Sequence, residues 1–140
     1  MTVLETVQNQ KNEEIARAFL ATKYNCQCIG MPQFSPVDAM MVKPGRIAGI
    51  EFKFRNVDWG AYPTIWLEEA KYYALLSCRA VWDKAYFMPC FKGDLFSIDI
   101  DKVNSDKKVR GGRRDRYGLD DMDWMIQIPM DDLIKVGVIW

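Results

Sequence analysis

The chain has 140 residues, of which 49% are hydrophobic and 27% charged, and its 19 basic residues balance its 19 acidic residues. This length and composition are typical of one globular domain and exclude a disordered chain. The neutral balance gives no overall attraction to nucleic acid, so any such attraction has to be local. Because the chain contains no histidine, Ser-His-Asp, Cys-His and His-liganded zinc chemistry are excluded.

The N-terminal residues and the cysteines indicate a cytoplasmic protein. Residues 1–10 lack the apolar core of a signal peptide, and no apolar run approaches the about 20 residues that span a bilayer. The four cysteines contain no Cys-x-x-Cys pair, which favours free thiols in a reducing compartment. A structural zinc site is the weaker alternative, and it would use Cys26, Cys28, Cys78 and Cys90.

The first third of the chain predicts a helix followed by three short strands. Apolar residues at helical spacing predict a helix over residues 5–24. Its inner stripe comprises Ile15, Ala16, Phe19 and Leu20. Residues 26–31 then form a predicted strand that ends at Pro32, and the β-prone runs 37–42 and 47–54 predict two further strands.

The segment 35–55 predicts a β-hairpin that carries the most informative charges of the chain. Its turn is Lys43–Arg46, which contains the Pro-Gly pair of a tight reversal. If this turn is symmetric, Asp38 lies opposite Glu51, and Lys53 shares their face of the sheet because side chains alternate along a strand. A longer turn would shift the register and break this facing.

Two adjacent carboxylates on a partly buried sheet repel each other unless a cation lies between them or one is protonated. A divalent cation such as Mg²⁺ is commonly held by one or two carboxylates, and a neighbouring lysine can orient water or bind phosphate. Arg55 lies on the same face by alternation and is a candidate phosphate contact. The competing interpretation is an exposed hairpin in which Asp38, Glu51, Lys53 and Arg55 form ordinary cross-strand ion pairs.

A loop and a second helix are predicted after the hairpin. In the loop, residues 56–63, Trp59 and Tyr62 either stack on DNA bases or cover the edge of the sheet. The helix is predicted over residues 64–79, with Thr64 as its cap.

Lys71 lies in a stripe of small apolar residues of this predicted helix, where a buried ammonium needs an anion such as a strand carboxylate or a DNA phosphate. The stripe comprises Leu67, Ala70, Ala74 and Cys78. The alternative is that the opposite face is buried and Lys71 is solvated. That face comprises Ile65, Trp66, Tyr73 and Leu76.

The last third of the chain predicts another hairpin, a basic loop and two short apolar segments. The hairpin strands are residues 82–90 and 94–100. Residues 107–116 contain six basic residues and two glycines, which predicts a flexible cationic loop that either contacts DNA or is simply solvated. The apolar segments 124–129 and 133–140 predict strands that pack on the sheet or form a dimer contact.

Asp38, followed after twelve residues by Glu51-Phe52-Lys53, resembles the core motif of the PD-(D/E)XK nuclease superfamily. In that family an Asp ends one strand and Glu-x-Lys lies on the next, with a helix before and after them. The predicted element order matches over about residues 5–100. One departure is Val37, which stands where the motif has a proline, while Pro36 lies one place earlier.

This resemblance implies an α/β fold with a restriction-endonuclease-like core, in which a mixed sheet of about five strands is flanked by helices. It implies a metal-dependent DNA endonuclease that uses Mg²⁺ or Mn²⁺. The metal would be held by Asp38, Glu51 and the main-chain carbonyl of Phe52. Lys53 would lie near the water that attacks the phosphorus. The family also often carries a Glu on the first helix and a Lys or Gln on the second that face the active site. The matching residues are Glu13, with Glu14 as second choice, and Lys71.

We expect one domain over residues 1–140, with a basic loop at 105–118 and a C-terminal extension at 119–140. The small single-domain members of the superfamily include Holliday-junction resolvases and phage endonucleases. DNA is therefore the expected partner, recognised by shape through the arginines named below, with no small-molecule cofactor and no membrane. These arginines are Arg55, Arg110, Arg113, Arg114 and Arg116.

We further expect a homodimer in the cytoplasm of a bacterium, or of a bacterial host if the chain is phage-encoded. The alternative to an enzyme is a catalytically inactive nuclease-like module that binds nucleic acid or has a regulatory role.

Overall fold

The structure is a computed structural model that describes residues 3–111 and 123–140. Within these ranges the chain forms helix α1 (Val3–Tyr24) and helix α2 (Glu69–Val81). The strands are β1 (Gln27–Gly30), β2 (Ala39–Lys43), β3 (Arg46–Arg55), β4 (Thr64–Glu68), β5 (Lys84–Phe91), β6 (Asp94–Asp99), β7 (Lys108–Gly111), β8 (Asp123–Pro129) and β9 (Ile134–Val138). Neither helix in the described part of the chain has the length and apolar character needed to cross a membrane.

The main sheet has six strands in the order β1-β2-β3-β5-β6-β9. The central pair β3–β5 is parallel, and the other neighbouring strands are antiparallel. The predicted mixed sheet flanked by helices is therefore confirmed. It has six strands because the C-terminal segment, including the buried Val136, adds β9 beside β6.

The β2–β3 hairpin has the register that a symmetric two-residue turn predicts. Ala39 pairs with Ile50, and Lys43 pairs with Arg46, so Pro44 and Gly45 alone form the turn. Gly45 has a φ of +77°, which is the conformation that a type II turn needs after proline. This register puts Ile50 and Phe52 on one face of the sheet and Glu51 on the other.

Each face of the sheet has its own apolar core. Helix α1 covers one face with the buried Ala16 and Leu20, which pack with Ile50 and Phe52 of β3. The predicted inner stripe of α1 is wrong at Ile15, which is 41% exposed. Helix α2 and a second, three-stranded sheet cover the other face, and their core is built on Leu67, Leu75, Phe87, Phe91 and Ile126.

The prediction of a helix from Thr64 is wrong, because Thr64–Glu68 forms β4 and α2 begins only at Glu69. Burial alternates along this segment, with Ile65 and Leu67 buried and Trp66 exposed, which is the period of a strand. Strand β4 pairs antiparallel with β8, and β8 pairs with β7 to complete the small sheet. Thr64 therefore caps no helix.

The buried face of α2 matches the predicted stripe of small apolar residues at Cys78 and departs from it at the other helical positions. Its buried residues are Tyr72, Leu75 and Cys78, whereas Tyr73 is 54% exposed and Ala70 is exposed. The wheel failed because it included residues 64–68, which are not helical.

The prediction of a flexible loop is wrong for the start of the basic segment. Lys108–Gly111 forms β7, and Arg110 pairs with Trp124 of β8. The remainder of the predicted basic loop, residues 112–118, lies outside the described residues, together with 119–122 of the predicted C-terminal extension. The rest of that extension supplies β8 to the small sheet and β9 to the main sheet.

Candidate active site

The candidate active site lies at a fork where β2 leaves β3. Pairing of the two strands ends at Ala39 and Ile50, while β3 continues to Arg55 beside β5. At the fork, the main-chain N–H of Asp38 donates to the carbonyl of Ile50 at 2.9 Å. The Asp38 carboxylate accepts a hydrogen bond from the N–H of Phe52 at 2.8 Å. The side chain of Asp38 thus continues the strand pairing and is fixed beside Glu51.

A cleft of about 350 Å³ opens at this fork, and we call it the catalytic cleft. It receives side chains from both layers that cover the sheet. The sequence-predicted catalytic residues all line it, namely Glu13 from α1, Asp38, Glu51 and Lys53 from the fork, and Lys71 from α2. Asn9 and Glu68 line it as well, and neither was predicted from the sequence as a site residue.

Glu51 is the buried charged side chain of the described residues, with 3% of its surface exposed. Its carboxylate forms an ion pair with the ammonium of Lys71. Burial, and then the charge of Asp38, raises the pKa of Glu51, while Lys71 opposes the rise. Burial, the largest single effect, would lower the pKa of Lys71, but the charge and hydrogen bond of Glu51 together with the charges of Asp38 and Glu68 outweigh it and raise that pKa. Lys71 therefore supplies the positive charge that offsets the free-energy cost of burying the Glu51 carboxylate.

Glu13 reaches the cleft from α1, whereas the neighbouring Glu14 is exposed. Burial raises the pKa of Glu13 to about 7, and the nearby Asp38 carboxylate adds to the rise, while Arg17 and Lys71 oppose it. Arg17 lies one helical turn further on, 3.9 Å from the Glu13 carboxylate. A carboxyl group that titrates near neutral pH is suited to accept and release a proton.

Lys53 forms the wall of the cleft on the side of the small sheet. Its ammonium donates a hydrogen bond to the main-chain carbonyl of Trp66 on β4 at 2.6 Å. Burial lowers the pKa of Lys53, the charge of Arg55 adds to this, and the Glu68 carboxylate opposes it. The hydrogen bond to β4 holds this ammonium at the side of the catalytic cleft that the small sheet forms.

The donor set of the fork fits a hard divalent cation. The N–H and the carbonyl of one strand residue point to the same side. Because the N–H of Phe52 binds Asp38, the carbonyl of Phe52 also faces the side that β2 has left. Two carboxylates and one carbonyl are the oxygen ligands that Mg²⁺ accepts together with water and phosphate.

The cysteines do not support a zinc site. Cys78 lies in the apolar core under α2, and Cys90 lies in the core under α1 on the opposite face of the sheet. The described residues hold only free cysteines, and they contain no group of three or more His, Cys, Asp or Glu side chains arranged around a metal position. The pair Asp38 and Glu51 would therefore need the Phe52 carbonyl and water to complete a coordination shell.

The predicted DNA contacts are only partly within the described residues. Arg55 is exposed at the end of β3, next to the catalytic cleft. Arg110 lies on β7 with its guanidinium 5.5 Å above the ring of Trp124, and it does not line the catalytic cleft. Arg113, Arg114 and Arg116 lie outside the described residues.

A model of the family described as "Phage putative PDDEXK endonuclease" matches residues 2–136. The chain belongs to this PDDEXK family. The match includes every element from α1 to the buried part of β9, and the chain is accordingly a nuclease of the PDDEXK type. A comparison with curated proteins gives no match.

Among solved structures, this PDDEXK chain is similar to Hjc, a Holliday junction resolvase from the archaeal hyperthermophile Archaeoglobus fulgidus. The similarity has a TM-score of 0.54, with 13% sequence identity, and covers 84% of each chain. At this identity the likeness concerns the fold. It confirms the restriction-endonuclease-like core that the Asp38…Glu51-x-Lys53 spacing indicated.

Proposed function

We propose that this PDDEXK protein is a metal-dependent DNA endonuclease that hydrolyses phosphodiester bonds. The observation that carries the proposal is the fork itself, where Asp38, the buried Glu51 and Lys53 meet in one cleft. A buried carboxylate is costly to maintain, and its retention beside a second carboxylate and a lysine supports a catalytic role over a structural one.

In this proposal Asp38, Glu51 and the carbonyl of Phe52 hold Mg²⁺ or Mn²⁺. The ion, when bound, supplies Lewis acidity and lowers the pKa of coordinated water. Lys53 exchanges the carbonyl of Trp66 for an oxygen of the substrate phosphate, and so stabilises the charge that develops there. Glu13, whose pKa lies near 7, accepts a proton from the attacking water.

Recognition of DNA is proposed to depend on shape and phosphate contact. Arg55 beside the catalytic cleft supports this, and so does the run of arginines at 110–116. The similar fold is that of a Holliday junction resolvase, which supports a preference for branched DNA. Two cuts on opposite strands of a branch need two sites, so we also propose a homodimer. The phage family favours action in the cytoplasm of a bacterial host.

The test is cleavage by the purified protein of supercoiled, linear, single-stranded and four-way-junction DNA, each with Mg²⁺, with Mn²⁺ and with chelator. We expect cleavage only with metal, and we expect Glu51→Gln to abolish it while Asp58→Asn, a change at an exposed acidic residue, retains it. Tighter binding and faster cleavage of the junction than of a duplex of the same sequence would support branch selectivity, and equal values would remove it. No cleavage of any DNA by metal-bound protein would refute the proposal.

A catalytically inactive module that binds nucleic acid is the second candidate, and the Lys71–Glu51 ion pair is the observation that favours it. An ammonium that already neutralises Glu51 reduces the need for a metal. Titration calorimetry with Mn²⁺ distinguishes the candidates, because the inactive module should bind metal no better than its Asp38→Ala variant.

A further inference from the structure

A second cleft adjoins the catalytic cleft, and we call it the flanking cleft. Its volume is about 590 Å³, which is within the range of small-molecule sites, roughly 300–1,000 Å³. It lies between the end of β3 and the exposed face of the small sheet. Its polar and aromatic lining residues include Lys53, Arg55, Tyr62, Trp66 and Gln127. Lys53 lines both clefts, so a chain of nucleotides bound at one would pass directly into the other.

The two clefts differ in charge. The catalytic cleft is lined by four acidic residues, Glu13, Asp38, Glu51 and Glu68. Among the described residues that line the flanking cleft, none is acidic, while Lys53 and Arg55 supply two cations at its junction with the catalytic cleft. The flanking cleft is therefore suited to a phosphate group at this end and to an apolar, flat group deeper inside.

The aromatic rings near the flanking cleft differ in what they contact. Trp59 stacks on Phe96 of β6 with ring centroids 5.6 Å apart and an angle of 9°, so this ring packs on an interior strand of the main sheet. Tyr62 lines the flanking cleft and is 56% exposed, and within the described part of the chain it has no aromatic partner. Trp66 lines the same cleft and is 38% exposed. Exposed aromatic rings beside cations are the features that bind unstacked bases.

We infer that the flanking cleft binds one unstacked nucleotide next to the phosphate that is cut. The base lies against Tyr62 and Trp66, its phosphate contacts Arg55, and the amide of Gln127 hydrogen-bonds the edge of the base. The inference rests on the proposed function and specifies its substrate, which is DNA with unpaired nucleotides beside the cleavage position. A fully stacked duplex cannot offer such a base without the cost of unstacking it.

The test compares two DNAs of the same sequence, one fully paired and one with two unpaired nucleotides that include 2-aminopurine. Binding is measured by anisotropy and by 2-aminopurine fluorescence in metal-free buffer, where no strand is cut. We expect the wild type to favour the unpaired DNA, and we expect Tyr62→Ala to weaken that binding about tenfold through loss of one stacking contact. Tyr62→Phe should restore it, and the paired DNA should be affected little.

Two controls match the variants. Tyr73→Ala removes an equally exposed tyrosine from α2 that lines neither cleft, and it should change nothing. Arg46→Ala removes an exposed arginine at the opposite end of β3, and Arg55→Ala should weaken binding of both DNAs more than Arg46→Ala does.

Equal affinity of the wild type for both DNAs, or unchanged binding of the unpaired DNA by Tyr62→Ala, would overturn the inference. If the wild type still cuts DNA with Mg²⁺ in that case, the proposed function stands without this subsite. If the wild type neither binds nor cuts any DNA, both fail.

Discussion

Lys71 on α2 forms an ion pair with Glu51 on β3, and this contact joins the helix to the buried carboxylate of the catalytic cleft. Glu51 has 4% of its side chain exposed, whereas Lys71 keeps 47% exposed. The Lys71 ammonium therefore approaches the Glu51 carboxylate from the solvent side. When another cation binds Glu51, the ammonium can move into solvent at little cost in free energy. In the proposed enzyme that cation is the divalent metal.

Removal of Lys71 should destabilise the protein most at alkaline pH. Lys71→Met leaves the Glu51 carboxylate buried without a cation, and we expect a loss of about 1–2 kcal/mol in the free energy of unfolding at pH 8, reduced because Lys71 is half exposed. The loss should shrink at pH 5, where Glu51 takes up a proton because burial raises its pKa. Urea unfolding at both pH values measures it. Lys135→Met, at the exposed pair with Asp94, is the matched control and should show little change at either pH.

Glu13 should make the metal-free protein less stable as pH rises. Its pKa is about 7 in the folded protein against an ordinary value of 4.5. Between these two values the unfolded chain releases a proton that the folded protein retains, so a rise in pH favours unfolding. Glu13→Gln is neutral in both states and should be more stable than the wild type by up to about 3 kcal/mol at pH 8 and equal to it at pH 4.

Glu14→Gln is the control for this measurement, because Glu14 is adjacent in sequence and exposed. Thermal and urea unfolding should give Glu14→Gln the same pH dependence as the wild type. If Glu13→Gln also follows the wild type across this range, the side chain is solvated and does not share the cleft with Asp38.

Lys53 should matter for cleavage and little for metal binding. Lys53→Met removes the ammonium that the proposal places on the substrate phosphate, and we expect a loss of about 10²–10³-fold in the cleavage rate. Mn²⁺ affinity should remain within a few-fold, since Lys53 bonds to the carbonyl of Trp66 and is no metal ligand. Loss of metal binding, or an unchanged rate, would contradict this role. Single-turnover kinetics with saturating metal separates the two quantities.

The arginines of the basic segment should set the salt dependence of DNA binding. Each phosphate contact contributes about −0.9 to the slope of log K against log salt on duplex DNA. Replacing Arg110, Arg113, Arg114 and Arg116 by alanine should therefore reduce the magnitude of this slope by up to about 3–4. An unchanged slope would show that the basic segment is solvated and does not contact DNA phosphates. Arg110→Ala alone tests the arginine that β7 positions above Trp124.

The sequence predicted the fork well because its geometry is local. Pro44 and Gly45 permit a two-residue turn, and strand alternation then determines which face each residue takes, so the positions of Asp38, Glu51 and Lys53 followed from counting. The burial of Glu51 and its pairing with Lys71 depend on α2, which is distant in sequence.

The errors occurred where a partner distant in sequence decides the structure. Thr64–Glu68 runs into α2 without a glycine or proline between them, so the segment was predicted as part of that helix. Its strand partner, β8, lies about sixty residues later in the chain. Lys108–Gly111 is likewise a strand only because β8 pairs with it. The signal available in the sequence was the residue types, because Thr64, Ile65 and Trp66 are β-branched or aromatic and are enriched in strands.

The binding of Mn²⁺ to the purified protein, followed by titration calorimetry at pH 8, tests the central claim most directly. We expect the wild type to bind the ion. Asp38→Ala and Glu51→Gln should each bind at least about tenfold more weakly, because loss of a direct ligand should cost no less than loss of an outer contact. Asp58→Ala, which changes an acidic side chain that is 81% exposed, should bind as the wild type does. Equal binding by the wild type and Asp38→Ala would contradict the claim that the fork of β2 and β3 holds the catalytic metal.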